Sequence, residues 1–388
     1  MRRILFYVQH LLGIGHVFRA SRIAGSLAAR GLDVHIAHGG ARIPHLSWSS
    51  AKVHYLPPIH GAKNNLSELV TPDDDPVDNT YKASRRDRLL FLFHDIKPDM
   101  LITEAFPFGR RQMRFELLPL LEEAKAAAPK PIIVSSVRDI VQENRKPGRN
   151  DETVATLESY FDHVFVHGDP NFARLEETFP EFERIADKAL YTGIVAPDRE
   201  TEPAPSHGKS HDVIVSVGGG SLGAPLLLAA AEAAPKTSLK DARWCLLTGP
   251  YLPEDVRGKL KALAPPTMEI HEFLPDLRQM LANTELSISL TGYNTVADLL
   301  RAECRAIVVP QWDGTETEQL RRARIMDKKG LAVAIMPDDI SAETLAETID
   351  HAMAAPPPPR GMLNLEGAKT TADIVEALFD GALPDAYR

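Results

Sequence analysis

Residues 286–324 read LSISLTGYNTVADLLRAECRAIVVPQWDGTETEQLRRAR, and this stretch decides the fold. Leu286 to Leu290 is a short apolar run of strand character. Thr291-Gly292-Tyr293-Asn294-Thr295 then supplies hydroxyls, a glycine and a capping amide, as the start of a helix does. Val296, Leu299 and Leu300 turn inward at helical spacing, with Asp298 near the first turn. Ala306 to Pro310 is the next strand, and Gln311 to Gln319 leaves it as a polar loop opening another helix. Strand, tight turn, helix and strand make a βαβ unit of a parallel sheet. The free N–H groups of such a helix N-terminus attract a phosphate or another anion. Asp298, an acid one turn on, can accept hydrogen bonds from sugar hydroxyls, and Glu318-Gln319 can do the same for a second sugar. The pattern suits a ligand with a diphosphate between two sugars; an ordinary capped βαβ unit would also account for it.

Working outward, the same grammar recurs on both sides. Upstream, a strand at Val213 to Val217 runs into the turn GGGSLG (Gly218 to Gly223) and a helix at Ala224 to Ala233. Strand Trp244 to Thr248, a helix near Asp255 to Leu263 and a strand at Glu269 to His271 follow. Leu331 to Ile335 and a helix from Ala342 to Ala354 close this half, and a last helix spans about Gly367 to Phe379. The first half opens with strand Ile4 to Val8, the turn Gly13-Ile14-Gly15-His16, a helix through Leu27 and strand Leu32 to Ala37. Gly39 to Pro76 reads as loop with a strand at Val53 to Leu56. Strands ending at Glu104, Asp139 and His167 alternate with helices at Asp87 to Lys97, Phe115 to Ala127 and Thr153 to Phe161. The polar, proline-bearing run after Ala196 reads as a linker. The expected organisation is one Rossmann-like domain over 1–196, a second over 197–366, and a C-terminal helix over 367–388 packing back toward the first.

Length and composition agree with this division. The chain has 388 residues, 44% hydrophobic and 25% charged, and a net charge of −9 that disfavours a nucleic-acid partner. Its two cysteines, Cys245 and Cys304, lack metal-ligand spacing and read as buried thiols of a reducing compartment. Gln9 and His10 interrupt the first apolar run, which suits a core strand better than a secretory signal. No stretch approaches the roughly 18 apolar residues of a membrane span, so a cytoplasmic location is expected. Arg85, Arg86 and Arg88 before LLFLF, and Arg110, Arg111 and Arg114 around Met113 and Phe115, are interleaved as in a membrane-surface patch, or as in half-buried helices. Asp73-Asp74-Asp75 reads as a solvated loop and not as a metal site; no metal is expected.

The glycine turns exclude some chemistry. Gly13-x-Gly15 lacks the third small residue of a dinucleotide fingerprint, and the second strand ends at Ala37-His38 without an acid for a ribose. GGGSLG lacks the Lys-Ser/Thr of a Walker loop, though its glycines permit close backbone approach to a ligand and Ser221 adds a donor. His16 stands behind a glycine turn at a helix N-terminus on the carboxyl edge of the sheet. There an imidazole can take a proton from a hydroxyl near neutral pH, or simply cap or pack the helix.

These residues carry a resemblance. Glu272-Phe273-Leu274-x-Asp276-Leu277, Thr291-Gly292-x-x-Thr295-Val296-x-Asp298, Val309-Pro310, Glu318-Gln319 and, upstream, Gly219-Gly220-Ser221-x-Gly223-Ala224 together resemble the donor-binding half of the family 28 glycosyltransferases around the bacterial peptidoglycan N-acetylglucosaminyltransferase MurG. Gly15-His16-Val17-Phe18 resembles the Gly-His-Val-Phe of that family. The likeness is good over 213–335 and confined to the first thirty residues of the other half. Phe106 to Arg111 looks more like an uncharacterised set of glycosyltransferases.

The resemblance implies the α/β GT-B arrangement, two Rossmann-like domains with parallel sheets facing across a cleft, the nucleotide sugar on the C-terminal domain and the acceptor on the N-terminal one. Gly219, Gly220, Ser221 and Gly223 would then approach the nucleotide, and Phe273 and Leu274 would flank its base. Thr291, Gly292, Asn294 and Thr295 would hold the diphosphate, Asp298 the ribose, and Glu318 and Gln319 the transferred sugar. Gly15 and His16 would lie near the reacting centre. Three departures stand out: Leu222 for the usual glutamine, Asp298 for glutamate, and Glu318 for glutamine. Val195-Ala196-Pro197 stands where an arginine is expected, and Arg199 is the nearest substitute.

The expected activity is inverting transfer of a hexose or N-acetylhexosamine from a UDP-sugar to a hydroxyl acceptor, a lipid or cell-envelope precursor being one class, without an essential metal or other cofactor. His16 is the first choice of base, with Glu104 and Asp139 as alternatives or orienting partners. Peripheral membrane contact would run through the N-terminal domain. A UDP-N-acetylglucosamine 2-epimerase and a non-catalytic nucleotide-sugar-binding protein are the rival readings.

Overall fold

The computed structural model describes residues 1–388 except 12, 45, 63–64, 144–145, 199–210, 219–222, 275–276, 312–315, 385–386 and 388. The chain divides into two units, Met1–Val195 with Glu366–Arg388, and Ala196–Leu365.

In the first unit β1 (Arg3–Val8) feeds α1 (Gly15–Ala29), then β2 (Asp33–His38) and β3 (Lys52–Tyr55). A hairpin of β4 (His60–Ala62) and β5 (Asn65–Val70) and the helix α2 (Asn79–Ile96) follow. The sheet resumes through β6 (Met100–Glu104), α3 (Arg114–Ala126), β7 (Ile132–Arg138), α4 (Arg149–Tyr160), β8 (His163–His167) and β9 (Ala189–Tyr191). The strands run parallel in the order β3-β2-β1-β6-β7-β8-β9. Ile4 to Val8 are fully buried because both faces are covered, which is why β1 reads as an unbroken apolar run. Leu5 and Tyr7 pack with α2 and α3, while Ile4, Phe6 and Val8 pack with residues of α1.

The second unit follows the same plan: β10 (Val213–Ser216), α5 (Ala224–Ala233), β11 (Trp244–Leu247), α6 (Glu254–Leu263), β12 (Met268–His271), α7 (Leu277–Ala282), β13 (Leu286–Leu290), α8 (Tyr293–Ala302), β14 (Arg305–Val309), α9 (Glu318–Lys328), β15 (Val333–Ala334) and α10 (Ala342–Ala354). Its order is β12-β11-β10-β13-β14-β15, again parallel. In each sheet the order reverses beside the first strand, between β1 and β6 and between β10 and β13. Doubly wound sheets hold ligands beyond the carboxyl ends of the strands at that point.

The last helix, α11 (Gly367–Phe379), lies on α1 in the first unit, with Arg30 donating to Glu376 at 2.6 Å and paired with Asp373. A side chain at Gly367 would begin 2.4 Å from the Gly193 carbonyl, so a glycine is needed where α11 starts.

Two details depart from the sequence reading. The β4–β5 hairpin lies in the stretch read as loop. Helix α2 starts eight residues before Asp87, because Asp78 caps it by accepting from the Tyr81 N–H at 2.7 Å. Of the two readings of the arginine clusters, the half-buried helices agree with the structure. Arg85 is fully buried against Glu116, Arg111 and Arg114 both pair with Glu152, and Arg110 turns toward His16. Arg88 stays outside, over the exposed Phe91 ring.

Candidate active site

At the switch of the second unit, Ser216 of β10 pairs in register with Ser289 of β13. The turns that follow, from Gly218 and from Thr291, therefore leave adjacent strands side by side. Gly218 takes φ +61°, which favours glycine. Gly219, Gly220 and Ser221 lie outside the described residues. Gly223 is explained by packing: a Cβ there would lie 2.2 Å from that of Val217, so its absence lets α5 close onto β10.

Ser287, Ser289 and Thr291 alternate with the core residues Leu286 and Ile288, so their side chains share the opposite face of β13 and its exit. All three are buried, and their hydroxyls have no hydrogen-bond partner among the described residues. Such groups are normally satisfied by protein, water or ligand. Thr291 is the outermost, directly before α8. Gly292 is the N-cap, with extended φ −65° and ψ 151°, and contributes no side-chain hydrogen bond to the helix end. Asn294 and Thr295 occupy the first turn, half-buried. Asp298, one turn further, has its Oδ1 3.8 Å from Nε of Arg278 on α7.

Phe273, just past β12, is 68% exposed, and Leu274 is half-buried beside it. Gly249 donates to the Glu272 carbonyl at 3.1 Å, which continues the β11–β12 ladder and brings the exposed Tyr251 to the same edge.

Glu318 and Gln319 open α9, but Glu318 is not an open carboxylate. It is buried, and Arg322 donates to its Oε1 at 2.8 Å and to the Thr291 carbonyl at 3.3 Å. The Arg322 guanidinium also lies over the Tyr293 ring, 5.6 Å from its centre. Arg322 thus ties the start of α9 to the start of α8. Gln319 receives the Gln311 N–H on its Oε1 at 3.1 Å. Glu316 caps α9, accepting from Glu318 N at 2.9 Å and Gln319 N at 2.8 Å, and burial pushes its pKa up. Arg322 carried a sequence signal, an acid four residues before a base on a helix.

In the first unit the switch lies between Val8 and Glu104, since Tyr7 pairs with Thr103. Gly15 is exposed and His16 half-buried at the start of α1. His16 Nε2 lies 2.9 Å from the Gln9 carbonyl, and Arg110 reaches both the ring and that carbonyl. Burial, then Arg110 and Arg19, hold the imidazole pKa well below its ordinary value, so it is neutral at pH 7.

Glu104 does not present a base. It is fully buried, ion-paired with Arg19 and accepting from the Ser136 hydroxyl at 2.9 Å. The Ser136 hydroxyl continues to His167 Nε2 at 2.9 Å, and His167 Nδ1 to Thr192 at 2.9 Å. This chain stitches the carboxyl ends of β6, β7 and β8 to α1, and holds the Glu104 carboxylate in a fixed place. Asp139 is likewise buried, with Oδ1 accepting from the Ile140 N–H at 2.8 Å. Among the described residues no group of His, Cys, Asp and Glu could hold a metal ion. Both cysteines are buried, and burial takes the Cys304 thiol up to about 12.

Two parallel sheets of this order place the chain among the GT-B folds. It superposes on the calicheamicin glycosyltransferase CalG4 with a TM-score of 0.60 at 14% identity, covering 99% of this chain and 96% of that one. It superposes on Acinetobacter baumannii MurG with a TM-score of 0.57 at 17% identity, covering 100% and 97%. Within that fold, residues 214–377 match the Glycosyltransferase family 28 C-terminal domain, a span that takes in most of the second unit and most of α11. The chain is 30% identical over 180 residues to the UDP-N-acetylglucosamine--N-acetylmuramyl-(pentapeptide) pyrophosphoryl-undecaprenol N-acetylglucosamine transferase of Herminiimonas arsenicoxydans, 45% of this chain and 50% of that protein. The enzyme of the same description from Lactococcus lactis subsp. lactis is 24% identical over 182 residues. The chain spans about half the length of these curated relatives.

Proposed function

We propose that the chain is an inverting glycosyltransferase that moves a hexose or N-acetylhexosamine from a UDP-sugar to a hydroxyl acceptor. One observation carries the reading: in a stretch that matches the family 28 C-terminal domain, β10 and β13 end side by side at the switch point, and just past β13 the buried Thr291 hydroxyl, with no partner among the described residues, stands at the uncapped start of α8. In this reading the diphosphate lies on the α8 N-terminus, where the helix dipole, backbone N–H groups and Thr291 stabilise the charge that develops on the leaving group. Asp298 accepts from the ribose, and Phe273 and Leu274 flank the base. Glu318 and Gln319 accept from the transferred sugar, with Arg322 fixing the carboxylate. His16 takes the acceptor proton as the hydroxyl attacks the anomeric carbon. No metal is needed, because the helix end supplies the positive field.

The relatives' descriptions name a pyrophosphoryl-undecaprenol acceptor, so a lipid-borne hydroxyl is the acceptor class to try first. No helix among the described residues is long and apolar enough to cross a membrane. We infer that the chain meets such an acceptor from the cytoplasmic side, at the membrane surface, through its first unit. The test is a thermal-shift screen of UDP-, GDP-, ADP- and TDP-sugars, since a ligand that binds only the folded state raises its melting temperature. A rise confined to UDP-sugars is expected; no rise with any of them contradicts the reading.

A further inference from the structure

The apolar run of β1 breaks at Gln9, a fully buried amide beside the point where the sheet order reverses. The β1–β2 ladder ends one residue earlier, where Gly39 donates to the Val8 carbonyl at 2.9 Å. Past that bond the Gln9 side chain holds the backbone instead. Its Nε2 donates to the His10 carbonyl at 2.6 Å and to the Ile59 carbonyl at 3.0 Å, and its Oε1 accepts from Arg85 at 2.9 Å. Arg85 is held in turn by Glu116, through bonds of 2.8 and 2.7 Å, and Tyr7 donates to the same carboxylate at 2.5 Å. A Cβ on Gly39 would lie 2.0 Å from the Gln9 Oε1, so a glycine is needed to leave room for this amide. Tyr7, Gln9, Arg85 and Glu116 are all fully buried. A buried polar network of this kind rigidifies what it touches.

The Gln9 backbone carbonyl meets His16 Nε2 at 2.9 Å. A carbonyl only accepts, so that nitrogen carries the ring proton. Arg110 Nη2, 3.2 and 3.0 Å from the two ring nitrogens, lies over the ring face and takes neither lone pair. Its Nε donates to the same Gln9 carbonyl at 2.8 Å. In a neutral imidazole, a proton on Nε2 leaves Nδ1 as the one basic nitrogen. We propose that Gln9 is a positioning residue for His16: its carbonyl fixes the tautomer in which Nδ1 is the base, and its side chain, locked by Arg85 and Glu116, holds that carbonyl still. The proposal rests on the reading of His16 as the base. The acceptor hydroxyl then gives its proton to Nδ1 as its oxygen bonds to the anomeric carbon. The bond from that carbon to the diphosphate oxygen breaks, and its electron pair leaves with UDP. The imidazolium so formed keeps its Nε2–H on the Gln9 carbonyl, whose dipole favours the new charge.

NMR of the full-length protein carrying isotope-labelled histidine tests this without knowledge of the acceptor. Ring correlations at neutral pH distinguish a protonated from an unprotonated ring nitrogen, and their loss in His16→Ala assigns them. Wild-type His16 should show a protonated Nε2 and an unprotonated Nδ1. Gln9→Met keeps the length of the side chain and removes its hydrogen bonds. In that variant the two nitrogen shifts should move toward each other as the second tautomer fills, and the Nε2–H should exchange with water about tenfold faster or more. Gln9→Glu, which keeps an acceptor for Arg85 but loses the donors to the two carbonyls, should fall between. A wild-type His16 protonated on Nδ1 overturns the proposal. So does Gln9→Met, with an unchanged circular dichroism spectrum, if its shifts and exchange rate equal those of wild type. Should Gln9→Met not fold, Gln9→Glu decides: values equal to wild type overturn the proposal. Near-normal turnover by His16→Ala strikes the base assignment alone, while the tautomer and its dependence on Gln9 are still read from the same spectra.

Discussion

Replacing Thr291 by valine separates what the second unit needs in order to fold from what it needs in order to bind. The Thr291 side chain is fully buried, and its hydroxyl has no partner among the described residues. An unsatisfied buried polar group costs about 1–3 kcal/mol. Valine keeps the shape and removes the hydroxyl, so Thr291→Val should stabilise the unliganded protein by about 1 kcal/mol. For a unit of this size that corresponds to a rise in melting temperature of about 2–4 °C. The same change removes a donor to the diphosphate. A hydrogen bond to a charged group is worth about 1.5–3 kcal/mol, so the Kd for UDP should rise roughly tenfold to a hundredfold. Calorimetry measures both quantities, by scanning without ligand and by titration with UDP. A variant that melts lower than wild type and binds UDP equally well would refute the reasoning. In that case the hydroxyl would be a structural group with a partner of its own.

Three further outcomes follow from the first unit. His16→Ala should lower turnover by about 10²–10⁴ with UDP binding little changed, and near-normal turnover removes His16 from the mechanism. Arg85→Met leaves the buried Glu116 without its ion-pair partner, and urea unfolding should show a loss of about 3–5 kcal/mol; a loss under about 1 kcal/mol means the pair contributes little. Burial and the neighbouring His38 lower the His10 pKa from 6.5 to about 4. The unfolded chain then binds the proton first as pH falls, so stability should drop between pH 6.5 and 4, by about 3 kcal/mol for this residue alone. His10→Gln should flatten that part of the stability profile, and an unchanged slope means His10 titrates normally.

Much of the fold is legible because it rests on local pattern. The strand, turn and helix of residues 286–302 are announced by an apolar run, a glycine and small polar residues at the helix start. The two switch points follow from the alternation of strands and helices. What stays hidden depends on pairing across long separations. Arg85 looks like a surface cation beside Arg86 and Arg88, and only the fold brings Glu116, thirty-one residues away, against it. Arg110 lies ninety-four residues from His16, and no local spacing announces that contact. Glu104 occupies a strand end on the expected edge, yet Arg19 and Ser136 enclose it. Gly223 shows the converse, a glycine of a ligand-type turn whose smallness also answers to Val217. Glu318 was half legible: its place at the start of a helix was plain, but its burial against Arg322 follows from how α9 meets the end of β13.

The central claim is that the second unit binds a nucleotide diphosphate through α8 and reads its ribose through Asp298. Isothermal titration of UDP into wild-type protein and into Asp298→Ala, both in a chelating buffer, tests it most directly. The account predicts saturable one-to-one binding by wild type without metal, and clearly weaker binding by the variant. Absence of saturable binding by wild type, or equal dissociation constants for the two proteins, would contradict it.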